Sequence, residues 1–147
     1  NLQLTSAYAT MANGGVRVPV SILRLSQKPK GMPVASYKDV RRMISALETV
    51  VAEGTGGKAA ISRYRVAGKT GTAKMAVRGG YGNSYIGTFA GFAPLSDPRF
   101  SMVVVIKNPK AGKFYGGTVA GPVFRDVMSR ALQLYNVAPD RGLDEKN

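Results

Sequence analysis

The chain has 147 residues, of which 44% are hydrophobic and 20% charged, so it is long enough for one globular domain and is not a disordered segment. It contains no cysteine and no histidine, which excludes a disulfide framework, a cysteine nucleophile, a Cys/His zinc site and a Ser-His-Asp triad among these residues. Lys and Arg number 21 against 8 Asp and Glu, and the resulting net charge of +13 favours an anionic partner or substrate.

The first half of the chain is predicted to contain two helices and one short strand. Apolar residues recur at helical spacing over residues 2–12, and an Asn-Gly-Gly stop signal follows at residues 13–15. Residues 16–25 alternate loosely around a proline, which predicts a short edge strand. A second amphipathic helix is predicted to begin at the capping residue Ser36 and to end at Gly54.

The second half is predicted to be an antiparallel meander followed by a helix, which makes the fold class α+β. Strands are expected near residues 64–75, 85–94 and 99–107, with a hairpin turn at residues 79–83 and a helix over residues 119–136. Five consecutive apolar residues in the third strand predict burial on both of its faces. The helix carries two adjacent apolar stripes at helical spacing.

One motif with chemical potential, Lys69-Thr70-Gly71-Thr72, lies inside the first of these predicted strands. Side chains alternate along a strand, so the hydroxyls of Thr70 and Thr72 share one face. Two hydroxyls and a nearby ammonium group together suit a carboxylate. From these residues alone, an edge strand whose lysine discourages aggregation explains the motif equally well.

The motif is one of several segments that follow one another in a fixed order along the chain. Together these segments span about residues 2 to 140. They are Leu2-Gln3-Leu4-Thr5, Asn13-Gly14-Gly15, Lys69-Thr70-Gly71-Thr72-Ala73, Phe89-Ala90-Gly91-Phe92-Ala93-Pro94, Met102-Val103-Val104-Val105-Ile106, and Tyr115-Gly116-Gly117 before Ala120-Gly121-Pro122. Their order and spacing resemble the C-terminal part of the transpeptidase domain of class B penicillin-binding proteins, most like the division-specific, FtsI-like members. The resemblance implies a β-lactamase-like serine transpeptidase fold, with its C-terminal portion in residues 1–140 and a polar tail in residues 141–147.

The resemblance also implies an activity and assigns roles to the motif. The family's enzymes are peptidoglycan D,D-transpeptidases, which cross-link stem peptides in septal wall synthesis through a serine acyl-enzyme and are inhibited by β-lactams. Lys69 is expected to keep the site cationic and to assist proton transfer, while the hydroxyls of Thr70 and Thr72 hold the substrate's terminal carboxylate. The N–H of Thr72 is expected to form half of the oxyanion hole, and Gly71 to leave space for the acyl chain.

Aromatic residues and a glycine pair complete the list of candidates. The resemblance places Tyr85, Phe114 and Tyr115 around the substrate or drug side chain, and buried packing is the alternative for these three. The Gly116-Gly117 pair is interpreted as a turn into the last helix. Two further tyrosines, Tyr8 and Tyr135, are expected in the core.

Two motifs of the family are missing from these residues. No Ser-x-x-Lys and no Ser-x-Asn occurs, and the nearest similar segment, Thr55-Gly56-Gly57-Lys58, lies in a predicted turn. The chain is therefore expected to be a fragment that is inactive by itself and that needs the N-terminal part of the domain, from the same or a separate chain. No metal or cofactor is expected. The family implies an inner-membrane protein whose catalytic part faces the periplasm and contacts divisome membrane proteins.

The sequence is also compatible with other functions. A β-lactamase, a D,D-carboxypeptidase or a β-lactam sensor would share the fold, whereas a basic nucleic-acid-binding module would explain the charge in another way. Residues 54–125 carry eleven basic side chains and one acid, Asp97. Four of the basic residues are interpreted either as a cationic rim that attracts the substrate or as solvated surface: Lys74, Arg78, Lys110 and Lys113.

Overall fold

A three-stranded antiparallel sheet with helices on both faces forms the centre of the molecule, which confirms the α+β class. The computed structural model describes residues 1–77, 79–110 and 112–142. Its elements, in chain order, are α1 (Leu2–Ala12), β1 (Val16–Arg17), β2 (Met32–Pro33), α2 (Tyr37–Ala52), a 3₁₀ turn (Gly57–Ala59), β3 (Ala67–Val77), β4 (Gly80–Ala93), β5 (Phe100–Lys107), α3 (Gly116–Val119) and α4 (Gly121–Leu134). Within those residues, no helix combines the length and the apolarity that crossing a membrane requires.

The two helices of the first half begin and end where their local signals predict. The Ser36 side chain accepts a hydrogen bond from the Asp39 N–H at 3.1 Å and so caps α2. After α1, Gly14 takes a φ of +66°, a conformation that favours glycine. The strand predicted over residues 16–25 is wrong beyond its first two residues, because Pro19 has no N–H to donate to a ladder.

The sheet has the order β3-β4-β5, and β3 and β4 form a long hairpin. The turn predicted over residues 79–83 is wrong, because strand pairing continues to Val77 opposite Gly80 after a register shift between Lys74 and Ala76. Residues 80–83 therefore belong to β4. Strand β5 pairs with β4 only from Ile86 to Ala93, so the tip of the hairpin extends beyond the third strand.

The sheet has an apolar cluster on each face. On the first face, α1 and α2 contribute Tyr8 and Leu47, which pack with Ala67, Ala90 and Phe92 of the strands. Burial raises the pKa of the Tyr8 hydroxyl above its usual value. On the second face, α4 covers the sheet with Phe124, Met128 and Leu132, all fully or almost fully buried. The two clusters hold β3 and β4 between them.

Three expectations about burial are corrected or refined by this packing. Of the two stripes on α4, the one with the larger side chains is buried, while Val123 and Val127 stay 41% and 50% exposed. Tyr135 is not in the core, because it lies 64% exposed with its ring against the edge of Phe100. The side chains of β5 from Phe100 to Ile106 are only half-buried, since this strand lies at the margin of the described sheet.

Candidate active site

The side chains of Lys69, Thr70 and Thr72 come together along β3, which pairs only with β4 among the described residues. The Lys69 ammonium Nζ lies 3.0 Å from the Thr70 carbonyl oxygen and 3.4 Å from the Thr70 hydroxyl. Lys69 and Thr70 start from opposite faces of the strand. The lysine side chain therefore bends around the strand edge, and a cation and two hydroxyls share one open border.

The Thr72 hydroxyl is held by the loop that follows β5. The Gly116 N–H donates to Thr72 Oγ1 at 2.9 Å. A hydroxyl has one proton to donate and two positions at which to accept. Because the Gly116 N–H occupies an accepting position, the proton of Thr72 remains available for an acceptor outside the protein.

The three aromatic candidates form one group beside this border. The rings of Tyr85 and Phe114 are stacked with centroids 4.1 Å apart, and the Phe114 and Tyr115 centroids are 4.6 Å apart. The Tyr115 side chain remains 63% exposed, so the group presents an aromatic surface to solvent. Lys74 Nζ lies 6.0 Å from the centroid of the Tyr85 ring. The structure thus brings Tyr85 together with the adjacent pair Phe114 and Tyr115, which lies about 30 positions later in the sequence.

Glycines allow the elements around the motif to approach closely. A Cβ atom at Gly71 would overlap the Thr88 hydroxyl on β4, which gives this glycine a packing reason in addition to any role toward substrate. A Cβ at Gly116 would overlap the carbonyl oxygens of Gly71 and Thr88, and one at Gly117 would overlap the Thr55 carbonyl. The Gly116-Gly117 pair is thus more than a turn, because it lets the start of α3 lie directly against β3.

Thr55 joins this group although its sequence context shows only a turn. Its hydroxyl oxygen lies 2.9 Å from that of Thr70. The backbone around it is fixed, because the Gly56 N–H donates to the Val50 carbonyl at the end of α2. A threonine in a Gly-rich turn carries no local signal for this contact, which spans 15 residues of sequence.

The segment that leads into β3 is held by hydrogen bonds to α2 and to the residues after α4. Asp140 accepts backbone N–H groups from Arg65, Leu95 and Ser96 at 2.7, 2.8 and 3.0 Å. The Arg65 guanidinium forms a two-point ion pair with Glu48 of α2, at 2.6 and 2.7 Å. Asp140, the last residue expected to belong to the domain, thus fixes the position from which the motif strand begins.

Tyr64 adds a bond from the same segment to the end of α4. Its hydroxyl donates to the Val137 carbonyl at 2.7 Å in a buried position. A buried hydroxyl that finds a partner in this way avoids the cost of an unmade hydrogen bond. The entry to β3 is therefore tied to α2 and to the residues after α4, and Lys69 follows four residues after Arg65.

The fold agrees with comparisons to known proteins. Residues 1–129 match the family model of the penicillin binding protein transpeptidase domain, so the chain belongs to that family. It is 46% identical over 141 residues to the peptidoglycan D,D-transpeptidase FtsI of Escherichia coli K12, and 40% identical over 144 residues to the probable peptidoglycan D,D-transpeptidase PenA of Neisseria flavescens. These alignments cover 95% and 97% of the chain but only 24% and 36% of the two relatives.

A solved structure supports the same assignment. The transpeptidase domain of Burkholderia pseudomallei penicillin-binding protein 3, in its apo form, superimposes with a TM-score of 0.87 at 38% identity. The match covers 95% of this chain and 44% of that one. The family resemblance seen in the sequence is thus confirmed, and the chain spans about a quarter of the length of its Escherichia coli relative.

Proposed function

We propose that this chain forms one wall of the active site of a peptidoglycan D,D-transpeptidase that cross-links stem peptides through a serine acyl-enzyme. The observation that carries the proposal is the contact of the Lys69 ammonium with Thr70 at the border of β3, with the Thr72 hydroxyl oriented by the Gly116 N–H on the same face of the strand as Thr70. A stem peptide ends in a carboxylate, and β-lactams such as penicillins carry one in a similar position. A cation with two hydroxyls matches that group.

The nucleophile of the reaction comes from outside these residues. The family uses a Ser-x-x-Lys serine with a Ser-x-Asn motif, and neither occurs among the 147 residues. We expect the chain to be inactive by itself and to act with the remaining part of the transpeptidase domain, which contributes both motifs. The 1–140 portion would then complete the domain.

Each residue of the motif has a role in this reaction. The serine attacks the carbonyl of the D-Ala-D-Ala bond, and the oxyanion of the tetrahedral intermediate needs N–H donors. The Thr70 carbonyl faces the open border, where Lys69 contacts it. Because residues two apart direct their backbone groups to the same side of a strand, the N–H of Thr72 faces that border too and suits the oxyanion hole.

Lys69 serves the charge balance of the same step. Its ammonium favours the negative charge that develops on the intermediate and hydrogen-bonds the serine of Ser-x-Asn, which assists proton transfer. The aromatic group of Tyr85, Phe114 and Tyr115 then binds the side chain of the substrate or the drug. This role is supported by the exposure of Tyr115 and by the stacking of the other two rings.

The proposal extends to the cellular setting. The FtsI name of several matching proteins supports a role in septal wall synthesis, with the protein held in the inner membrane, the catalytic part in the periplasm and divisome membrane proteins as partners. Peptidoglycan stem peptides and β-lactams are the proposed ligands.

The test uses the full-length protein that contains this chain. Labelling by a fluorescent penicillin measures acylation, and incubation with a D-Ala-D-Ala stem peptide and an acceptor amine measures the products. A transpeptidase releases D-Ala and forms the cross-linked product. Release of D-Ala without cross-linking indicates a carboxypeptidase, rapid turnover of the penicillin a β-lactamase, and stable acylation without peptide chemistry a sensor. Absence of acylation contradicts the proposal.

A second measurement addresses the basic charge. A nucleic-acid-binding module would bind DNA with an affinity that falls steeply as salt rises. We expect weak DNA binding in a filter assay at two salt concentrations. Tight and strongly salt-dependent binding would favour the nucleic-acid alternative.

A further inference from the structure

The Thr55–Thr70 pair has a hydrogen-bond arrangement that depends on the cation beside it. The two hydroxyl oxygens are 2.9 Å apart, and geometry allows either one to be the donor. Lys69 Nζ lies 3.4 Å from the same Thr70 oxygen. An ammonium group donates and never accepts, so Thr70 accepts at this contact.

The number of protons then limits what the pair offers to a ligand. Two hydroxyls carry two protons, and their mutual bond uses one of them. If Thr55 donates, Thr70 accepts both from Thr55 and from Lys69 and keeps its own proton for a ligand. A hydroxyl that accepts hydrogen bonds is itself polarised and becomes a stronger donor. A bound carboxylate at the border of β3 therefore selects the arrangement in which Thr55 donates to Thr70.

The surroundings hold Thr55 in place for this contact. The end of α2 fixes the turn, because the Gly56 N–H donates to the Val50 carbonyl at 2.9 Å. On the other side, Gly117 lies so close to the Thr55 carbonyl that a Cβ there would overlap it. The Thr55 side chain remains exposed and reaches the same border as the motif. The hydroxyl is thus positioned by two elements that both contact β3.

We propose that Thr55 is a positioning residue of the anion subsite, whose hydroxyl directs and polarises the Thr70 hydroxyl toward the terminal carboxylate of the peptide or the β-lactam. The inference rests on the proposed function, and it adds a residue from outside the motif to carboxylate recognition. Thr55 acts through Thr70, so its effect depends on the ligand's negative charge and on the Thr70 hydroxyl.

The experiment measures second-order acylation of the full-length protein by benzylpenicillin and by its methyl ester, in competition with a fluorescent penicillin. Thr55→Val keeps the shape of the side chain and removes the hydroxyl. We expect acylation by benzylpenicillin to fall about fivefold, as for a lost hydrogen bond of about 1 kcal/mol, with no change for the ester. Thr55→Ser, which retains the hydroxyl, should remain close to the parent protein.

A matched control and a double variant separate positioning from general damage. Thr49→Val removes an exposed hydroxyl that donates to the Ser45 carbonyl within α2, and it should change neither rate. In a Thr70→Val background, Thr55→Val should cause no further loss, because the hydroxyl through which it acts is absent.

The outcomes distinguish the two proposals. If the parent protein is not acylated, the proposed function fails, and the Thr55 proposal fails with it. If the parent is acylated but Thr55→Val slows the acid and the ester equally, or changes neither, only the Thr55 proposal is overturned. Additive losses in the double variant would also overturn it.

Discussion

The two halves of the β3–β4 hairpin differ in what surrounds them. The inner half, residues 67–73 with 86–93, is joined by β5 and covered by helices on both faces. The outer half, residues 74–77 with 80–85, has no ladder pairs with β5 among the described residues, although the Asn108 N–H donates to the Tyr85 carbonyl at its base, and it contains the register shift. Its described side chains are exposed or half-buried. One continuous pair of strands therefore has a fixed part and a projecting part.

The difference between the halves agrees with the location of the proposed site. Groups that stabilise a transition state must be held in place before the reaction begins, because reorganisation during the reaction costs energy. The lysine and both motif threonines lie in the inner half, where packing and the Asp140 bonds hold the strand. The outer half contributes Tyr85 and a cation at the margin of the site. We therefore expect substitutions in the inner half to have much larger effects.

The sharpest test compares two lysines of the same strand. In the full-length protein, Lys69→Ala should slow acylation by a fluorescent penicillin on the order of 10²-fold. The reason is that the proposed site loses its cation and a hydrogen bond to the serine of the Ser-x-Asn motif. Lys74→Ala, in the outer half, should stay within about threefold, as expected for an exposed charge. Similar losses in the two variants would refute the distinction between the halves.

The hold on the inner half is tested at Asp140. Asp140→Ala leaves three backbone N–H groups without their charged acceptor, so we expect the free energy of unfolding to fall by about 2–3 kcal/mol. Chemical denaturation of the full-length protein gives this value. Asp97→Ala, in the exposed turn between β4 and β5, is the control and should change stability by less than about 0.5 kcal/mol. An equally small loss at Asp140 would show that its bonds contribute little to holding β3.

A smaller effect on acylation is expected when the hydroxyl of Thr72, the second threonine of the motif, is removed. Thr72→Val retains the volume and the backbone N–H but removes the hydroxyl that Gly116 orients. Acylation by benzylpenicillin should fall about tenfold, and acylation by its methyl ester much less, because the lost bond is made to a charged group. Equal losses for the acid and the ester would indicate that Thr72 supports the loop and not the carboxylate.

The smallest effect concerns the charges of the rim. Lys74, Lys110 and Lys113 lie among the described residues, and Arg78 lies outside them. Changing all four to Gln should slow acylation by a dianionic β-lactam a few-fold at low salt. The rate should converge with that of the parent near 1 M salt, where the Debye length falls to about 3 Å.

A control for the rim removes the same charge from another surface. Four exposed basic residues on the β1–β2 loop and at the start of α2 are changed to Gln in this control, namely Lys28, Lys30, Lys38 and Arg41. The acylation rate of this variant should equal that of the parent at every salt concentration. If the rim variant and the parent follow each other at every salt concentration, the four residues are ordinary surface charges and the attraction hypothesis is wrong.

Features set by neighbouring residues could be predicted from the sequence. Ser36 caps α2, and the glycine after Asn13 stops α1, because each signal acts within a few residues. The glycines at positions 80 and 82 favour a turn, and for this reason the sequence predicts the hairpin turn at residues 79–83, where the structure has the start of β4. The register with β3, which no local signal reports, keeps them in a strand.

Contacts between residues that are distant in the sequence also explain why the roles of Thr55 and Asp140 are not predicted. The motif and the aromatic group were predicted through a family resemblance carried by contiguous segments. Thr55 and Asp140 act on residues 15 and 75 positions away, and their own surroundings in the sequence look like a turn and a tail. Tyr135 continues the spacing of the buried stripe of α4 but is exposed, because the helix ends at Leu134 and helical spacing does not report where a helix leaves the sheet.

The Asp140 bond also sets an order of events during synthesis of the protein. Arg65, whose N–H it accepts, leaves the ribosome 75 residues earlier, so β3 can form its hairpin with β4 long before its starting point is fixed. Contacts across such a separation form late, because a long loop must close first. The segment that leads into β3, at Arg65 four residues before Lys69, thus gains this support only after residue 140 has been synthesised, so the proposed site is completed late.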